Sequence, residues 1–312
     1  MSVERIEKFF SCPDSPHLTL SNIRGSVKIQ PGDNGVIAVT AAKQKDSGDE
    51  ENTRIEMSQG NDGSVRIHTR YDHLGILFFG KRYPCKVDYE VFVPQKCSLK
   101  IRGVNNTATI EGISGELDIS TVSGDIECRS LMGQLKIKTV SGDVRGKAIS
   151  GSGQLNSVSG DIHLKNSDFD ALRGKTVSAD FVIETPLENG PYDFNSVSGD
   201  IKLDVSPMQG AIISSSSLSG DVRTSLPYAH TNKSGKNRRI EINGGGAEIN
   251  HSSVSGDLFV DSRNNNGTKE NKLAEIPGGD RSLRHKNILD RVDRGELSVD
   301  QALQMIAGNS VP

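Results

Sequence analysis

One four-residue pattern recurs along this chain and limits what it can fold into. Val-Ser-Gly-Asp, or Leu-Ser-Gly-Asp in one copy, begins at 122, 140, 158, 197, 218 and 254, and Val-Ser-Ala-Asp begins at 177. Successive copies are separated by 18, 18, 19, 20, 21 and 36 residues, so the last interval holds either a skipped copy or an insertion. A nearly constant period indicates stacked units of one kind.

A weaker pattern repeats at half this spacing. Ile-Ser-Gly-Glu at 113, Val-Ser-Gly-Asp at 122 and Leu-Met-Gly-Gln at 131 begin nine residues apart, and apolar residues alternate with polar ones between them. Alternation with period two, β-branched residues and regular glycine turns predict short strands. No apolar stripe of helical period occurs before about residue 283.

Two all-β architectures fit this pattern. In a single-stranded parallel β-solenoid, or β-helix, each rung of about 18 residues makes one circuit and equivalent residues stack ~4.8 Å apart. In an antiparallel β meander or sandwich, Ser-Gly would be a hairpin turn that places Thr121 opposite Ile126 and Ile119 opposite Cys128. The solenoid is favoured, because a dozen or more strands in one sheet would have to curl or close.

The composition agrees with a thin core. Apolar residues make up 34% of the chain and aromatic residues 4%, tryptophan is absent, and there are 33 glycines. The net charge of -3 predicts no nucleic-acid partner. The four cysteines lie far apart without a C-x-x-C motif, which predicts neither a zinc site nor a redox pair.

The chain divides into four predicted regions. Residues 1–100 lack the nine-residue period and are interpreted as an N-terminal β cap with the first rungs, and residues 101–262 form the repeat solenoid. A flexible linker at 263–282 precedes a small C-terminal helical hairpin at 283–308. Two such short helices need a surface to dock on. Their predicted docking side chains are Ile288, Leu289, Val292, Leu297, Leu303 and Ile306.

Taken together, these segments resemble a known bacterial family. The recurring V-S-G-D, H-L-T-L-S-N-I-R-G-S-V-K-I at 17–29 and V-D-Y-E-V-F-V-P-Q-K-C-S-L-K-I at 87–101 are similar to the family of unknown function usually called putative adhesins, over residues 6–262. The tail resembles the short two-helix segment called SHOCT. The resemblance implies a β-helical scaffold, in some members in an envelope or stress-response setting, and no catalytic residues.

The repeated aspartates raise the question of a metal site. Stacked rungs would align them in a column, in which Asp125, Asp143 and Asp161 are weak candidates for a cation site. The favoured interpretation is structural: glycine supplies a positive φ, while serine and aspartate bond to the backbone of their own turn. Ala179 would strain such a turn.

The sequence predicts neither catalytic residues nor a cofactor. G-x-S-x-G is absent, and the seven histidines form no H-x-H or H-E-x-x-H motif. The predicted function is a non-catalytic scaffold or adhesin-like interaction protein. The alternatives are a carbohydrate-active β-helix enzyme and a cytoskeletal β-helix that polymerises end to end.

Two segments outside the repeat suggest partners. Ile76, Leu77, Phe78 and Phe79 either plug the solenoid end or, with Lys81 and Arg82, contact a protein partner, a second copy or a membrane surface. Residues 228–239 form a basic insertion, interpreted as a solvated loop that would suit an anionic partner. The sequence shows no signal peptide or membrane span, so we expect a soluble cytoplasmic protein, peripheral to a membrane at most.

Overall fold

In the part of the chain that the structure describes, the regular structure is β, apart from one 3-10 turn at Lys45–Ser47. The computed structural model describes residues 2–72, 83–234 and 236–263. Its first ten strands are β1 (Val3–Ser11), β2 (His17–Pro31), β3 (Val36–Gln44), β4 (Thr53–Gln59), β5 (Val65–Tyr71), β6 (Lys86–Val93), β7 (Ser98–Glu111), β8 (Ser114–Thr121), β9 (Ile126–Thr139) and β10 (Val144–Ser157).

The remaining strands are shorter. They are β11 (Ile162–Lys165), β12 (Asp168–Thr176), β13 (Phe181–Glu184), β14 (Tyr192–Ser196), β15 (Ile201–Val205), β16 (Ala211–Ser217), β17 (Val222–Thr224), β18 (Tyr228–Ser234), β19 (Asn237–Ile242), β20 (Ala247–Ser253) and β21 (Leu258–Ser262). The strands belong to two compact units. Among the described residues, the first holds those up to 155 together with 164–168, and the second holds 156–163 and those from 169 to 263.

In the first unit the repeat strands pair in parallel, one period apart. Leu117 of β8 lies beside Leu135 of β9, and Ala108 of β7 lies beside Ile126 of β9. Ile119 therefore pairs with Ile137, and not with Cys128 as the meander requires. This parallel register, at an offset of 18 residues, is the one that stacked rungs need.

The alternation read from the sequence separates the inward from the outward side chains. Equivalent apolar residues stack into buried ladders, one of which holds Leu18, Leu99, Leu117 and Leu135. A side chain of this size contributes about 1.5–3 kcal/mol when it is fully buried. A core built from such ladders needs few large residues, which accounts for the low aromatic content.

The stack of the first unit begins earlier in the chain than the repeat motif indicates. Strand β2 pairs with β7 in parallel over nearly its whole length, from His17 beside Ser98 to Ile29 beside Ile110. The intervening strands lie on the other side of β2, where β5 and β6 pair with it in parallel. Antiparallel pairs β1–β3, β3–β6 and β4–β5 complete this end. The residues before 100 thus include strands that pair in parallel with β7 through β2, together with antiparallel strands.

In the second unit the order of the rungs departs from the order of the sequence. Strands β12 and β13 pair in parallel with β14 and β15, about 20 residues later. The next neighbours of β14 and β15 are β20 and β21, the last strands described, which pair on their other side with β16 and β17. The chain therefore returns and places its last rung between two earlier ones.

The long final interval of the repeat is explained by a hairpin. After β17 the chain forms the antiparallel pair β18–β19, and β19 pairs antiparallel with the free side of β16. The next copy of the motif follows in the returning rung. The 36-residue interval is therefore an insertion, and it contains the basic segment.

Several predicted features lie outside the described residues. These are the apolar segment with Ile76, Leu77, Phe78, Phe79, Lys81 and Arg82, the linker, and the docking helices with Ile288, Leu289, Val292, Leu297, Leu303 and Ile306. Within the described part of the chain, no helix has the length and apolarity to cross a membrane.

Candidate functional site

The hydroxyl residue that precedes each motif closes its corner. Thr176 Oγ1 donates a hydrogen bond to the carbonyl oxygen of Ala179 and accepts one from its N–H, both at 2.9 Å. Thr139, Ser157, Ser196 and Ser253 donate in the same way to the glycine three residues later. In Thr121 and Ser217 the hydroxyl oxygen accepts from the glycine N–H. The corner motif is therefore five residues long and begins with threonine or serine, once in each rung.

The serine and glycine of each motif fasten one rung to the next. The N–H of Ser141 donates to the carbonyl oxygen of Val122 at 2.8 Å, and its hydroxyl reaches the same oxygen at 3.4 Å. A Cβ atom on Gly142 would lie 2.1 Å from the carbonyl oxygen of Gly124, which no side chain tolerates. Glycine is needed here because two backbones approach closely.

The expected positive φ at these glycines is wrong. Within the repeat, glycines with positive φ lie instead at the half-period corner, as in Gly115, Gly133 and Gly151. Ala179 is absent from the positive-φ residues, so the expected strain at that corner is wrong as well.

Within each unit the motif aspartates form a column, and five of the seven carboxylates accept a hydrogen bond from a backbone N–H of the neighbouring rung. In the first unit Asp125 Oδ1 accepts from the N–H of Asp143 at 3.0 Å. In the second unit the same bond recurs four times at 2.7–2.9 Å. The carboxylate of Asp161 accepts from the N–H of Asp180, Asp180 from Asp200, Asp200 from Asp257, and Asp257 from Asp221.

In the aspartate column the carboxylates accept hydrogen bonds that join one rung to the next. The described residues contain no group of three or more histidine, cysteine, aspartate or glutamate side chains that could hold a metal ion. Each corner uses its hydroxyl, serine, glycine and aspartate within the stack. A binding site must therefore be sought on the surface between the corners.

One outward face of the second unit forms a groove, which we call the five-strand groove. Its strands lie in the spatial order β12, β14, β20, β16, β19, and its cavity volume is about 710 Å³. Each strand contributes two outward side chains. One row holds Arg173, Asp193, Asn250, Ser214 and Arg239, and the other holds Lys175, Asn195, Ser252, Ser216 and Asn237.

The floor of the groove is made of small polar side chains, and its two edges carry the cations. Arg173 and Lys175 lie on β12 at one edge, and Arg239 lies on β19 at the other. The only carboxylate among the outward lining residues, that of Asp193, receives a hydrogen bond from Asn250 at 2.9 Å and pairs with Arg173 at 3.4 Å. The groove is thus cationic in a chain of net charge -3.

A buried serine–histidine pair lies on the inward side of the same strands. Ser215 Oγ and His251 Nδ1 are 3.0 Å apart, and the two residues are 6% and 2% exposed. Burial lowers the pKa of His251 to about 4, against a smaller opposing effect of the Asp257 charge. The imidazole is therefore neutral at pH 7 and belongs to the interior ladder beside Phe194.

The four cysteines are free thiols. Burial raises the pKa of both Cys97 and Cys128 to about 12, and burial also raises that of Cys12. These three thiols are protonated at neutral pH and are poor nucleophiles.

The structure places the sequence-predicted candidates in different locations. Asp125, Asp143 and Asp161 lie in the aspartate column. The basic insertion at 228–239 forms strands, and its Arg239 reaches the groove. The other groove residues carry no local motif, because five strands from distant parts of the chain supply two side chains each. The run of four serines at 214–217 was the available signal.

The stacked, parallel rungs and their interlocked corners define a β-repeat protein. The model of the Toastrack DUF4097 family matches residues 16–261, so the chain belongs to that family. No curated protein matches the chain.

Several solved structures of low sequence identity resemble the chain. A putative adhesin from Parabacteroides merdae has 8% identity over 83% of this chain and 96% of its own, with a TM-score of 0.49. A putative lipid binding protein from Parabacteroides distasonis has 12% identity over 83% and 96%, with a TM-score of 0.46. A putative adhesin from Bacteroides fragilis has 13% identity over 83% and 97%, with a TM-score of 0.45.

Proposed function

We propose that this protein is a non-catalytic, adhesin-like interaction protein, built as a rigid scaffold that displays binding surfaces. The observation that carries the proposal is the interlocking of the corners. In the aspartate column, for example, the Asp180 carboxylate accepts the N–H of Asp200 at 2.8 Å, so a residue repeated seven times serves the stack. A scaffold needs such repetition, whereas a catalytic centre needs a few unlike groups brought together.

The chemistry of the buried polar groups supports a non-catalytic role. Ser215 and His251 are a nucleophile and a base in contact, but both are buried in the inward ladder, where a substrate cannot reach them. The high pKa values of Cys97 and Cys128 favour the protonated thiol, which is not the nucleophilic form.

The finer architecture is part of the same proposal. The parallel pairing at 18 to 20 residues supports a single-stranded β-solenoid over the repeat region. The helical pair at 283–308 would then dock on the scaffold, on a second copy or on a partner. The apolar segment at 76–79 would either close the N-terminal end or contact a protein or membrane surface.

The non-catalytic role is tested by direct assay of turnover. The full-length protein is incubated with a panel of neutral and acidic polysaccharides, and reducing ends and unsaturated products are followed over hours. We expect no increase above a protein-free control. Turnover that disappears when Arg239→Ala is introduced into the five-strand groove would instead establish the carbohydrate-active enzyme.

A further inference from the structure

We propose that the five-strand groove binds an acidic polysaccharide, meaning a polyhydroxylated chain with carboxylate or phosphate groups. This inference rests on the proposed interaction function and names the ligand of that surface.

The shape of the groove suits an extended chain that crosses the strands. Its five strands are separated by four spacings of about 4.8 Å, so the floor is roughly 19 Å wide between its two edges. The outward side chains of the three central strands are serine, asparagine and one aspartate, and none is larger. A polymer can therefore approach close to the sheet along this direction.

The chemistry of the floor matches hydroxyl groups. Serine hydroxyls both donate and accept hydrogen bonds, and asparagine amides carry a donor and an acceptor side by side. Ser216, Ser252 and Asn195 are neighbours in one row and are exposed. The row offers alternating donors and acceptors at the strand spacing, which suits a surface covered in hydroxyls.

The charges at the two edges select an anionic ligand. The outward rows contain three cationic side chains, Arg173, Lys175 and Arg239, and one carboxylate, that of Asp193, which is bonded to Arg173 and Asn250. Arginine recognises carboxylate and phosphate groups through paired hydrogen bonds, and lysine contributes a point charge. Anionic groups one groove width apart can meet both edges at once.

The outward rows of this groove contain no aromatic side chain, which separates a hydroxyl-rich polyanion from nucleic acids as the expected ligand. Phe194, the aromatic residue among the lining residues, belongs to the inward ladder and is 1% exposed. Single-stranded nucleic acids are usually held by stacking of bases on exposed aromatic rings, which these rows do not offer. Lipid tails need apolar surface, which these rows also lack. A hydroxyl-rich polyanion needs neither.

The test measures affinity of the full-length protein by isothermal titration calorimetry. The ligands are polygalacturonate, poly(glycerol phosphate), neutral dextran and polyglutamate. We expect binding to polygalacturonate or poly(glycerol phosphate), with the stronger of the two identifying carboxylate or phosphate as the anionic group. Dextran and polyglutamate should bind much more weakly, because each supplies only one of the two chemistries. Binding should weaken as salt is raised.

Two variants and two matched controls locate the site. The double variant Lys175→Ala with Arg239→Ala should bind roughly tenfold more weakly or worse, since it removes one charged contact at each edge. Ser252→Tyr should also weaken binding by filling the floor. Lys136→Ala with Lys138→Ala, which also removes two cationic side chains, and Ser120→Tyr lie on β9 and β8 and should leave affinity unchanged.

The outcomes separate this inference from the function on which it rests. Equal affinity of the wild type and the double variant, equal binding to polyglutamate, or no binding to either acidic polymer would overturn the groove assignment. Cleavage of the polymers would contradict the non-catalytic role. Circular dichroism spectra and thermal midpoints that match the wild type establish that each variant is folded.

Discussion

At the scale of single residues, each position of the corner has one structural task. Threonine or serine closes the turn, the motif serine and glycine allow two rungs to approach, and the aspartate bonds to the next rung. Repetition of a potentially reactive residue therefore reflects the repetition of one hydrogen bond. The sequence could predict the alignment of the aspartates, but it could not predict their partners, which lie 18 to 57 residues away.

The role of the aspartates is tested with Asp180. Asp180→Ala should lower the free energy of unfolding by about 1 kcal/mol, because the N–H of Asp200 loses its acceptor. Asp180→Asn keeps an acceptor oxygen and should stay close to the wild type. Urea denaturation of the three proteins measures the difference. A cation site would give another pattern, in which both variants lose stability and added Ca²⁺ stabilises only the wild type.

His251 predicts a specific pH dependence. Its pKa in the fold is about 4, below the ordinary histidine value of 6.5, because burial disfavours the charged form. Between these two values the unfolded chain binds a proton that the folded chain does not, so stability falls as the pH is lowered through this window. From pH 7 to 4.5 the wild type should lose roughly 2–3 kcal/mol more than His251→Asn.

The comparison is made by urea unfolding at the two pH values. Burial raises the pKa of Asp200 and Asp204, which has the opposite effect on stability, but these groups are common to both proteins. An identical loss in the wild type and His251→Asn would show that the imidazole is not held neutral.

At the scale of the strands, the sequence predicts where the strands lie and that they stack in parallel, but it does not predict the order in which the rungs stack. Alternating residues and turn glycines predict the strands and their parallel stacking, since every rung repeats them. The position of β20 and β21 could not be predicted, because a returning rung and a next rung carry the same motif. The five-strand groove depends on that order, so the sequence alone could not predict which residues line it.

The returning rung predicts an unusual response to truncation. A chain that ends at Asn243 lacks β20 and β21, so β14 and β16 lose the partner that lies between them. We expect the second unit to lose its cooperative thermal transition and to be digested rapidly by protease. A chain that ends at Arg263 keeps both strands and serves as the control. If rungs followed the sequence order, the shorter chain would lose only one end of the stack and remain folded.

At the scale of the whole molecule, the repeated and the variable positions of each rung have different tasks. The repeated positions hold the rungs together, and the side chains between the corners differ from rung to rung, which is why we propose them as the binding surface. The five-strand groove is the place among the described residues where these variable side chains combine a cavity with opposite charge to the chain as a whole.

The central claim is that this protein binds an acidic polysaccharide without changing it. The most direct test is the molar mass of polygalacturonate, measured by size-exclusion chromatography with light scattering after overnight incubation with the full-length protein. We predict a complex heavier than the free polymer, and a return to the original polymer mass once the protein is digested with protease. A shortened polymer, or one that elutes unchanged in the presence of the protein, would contradict the account.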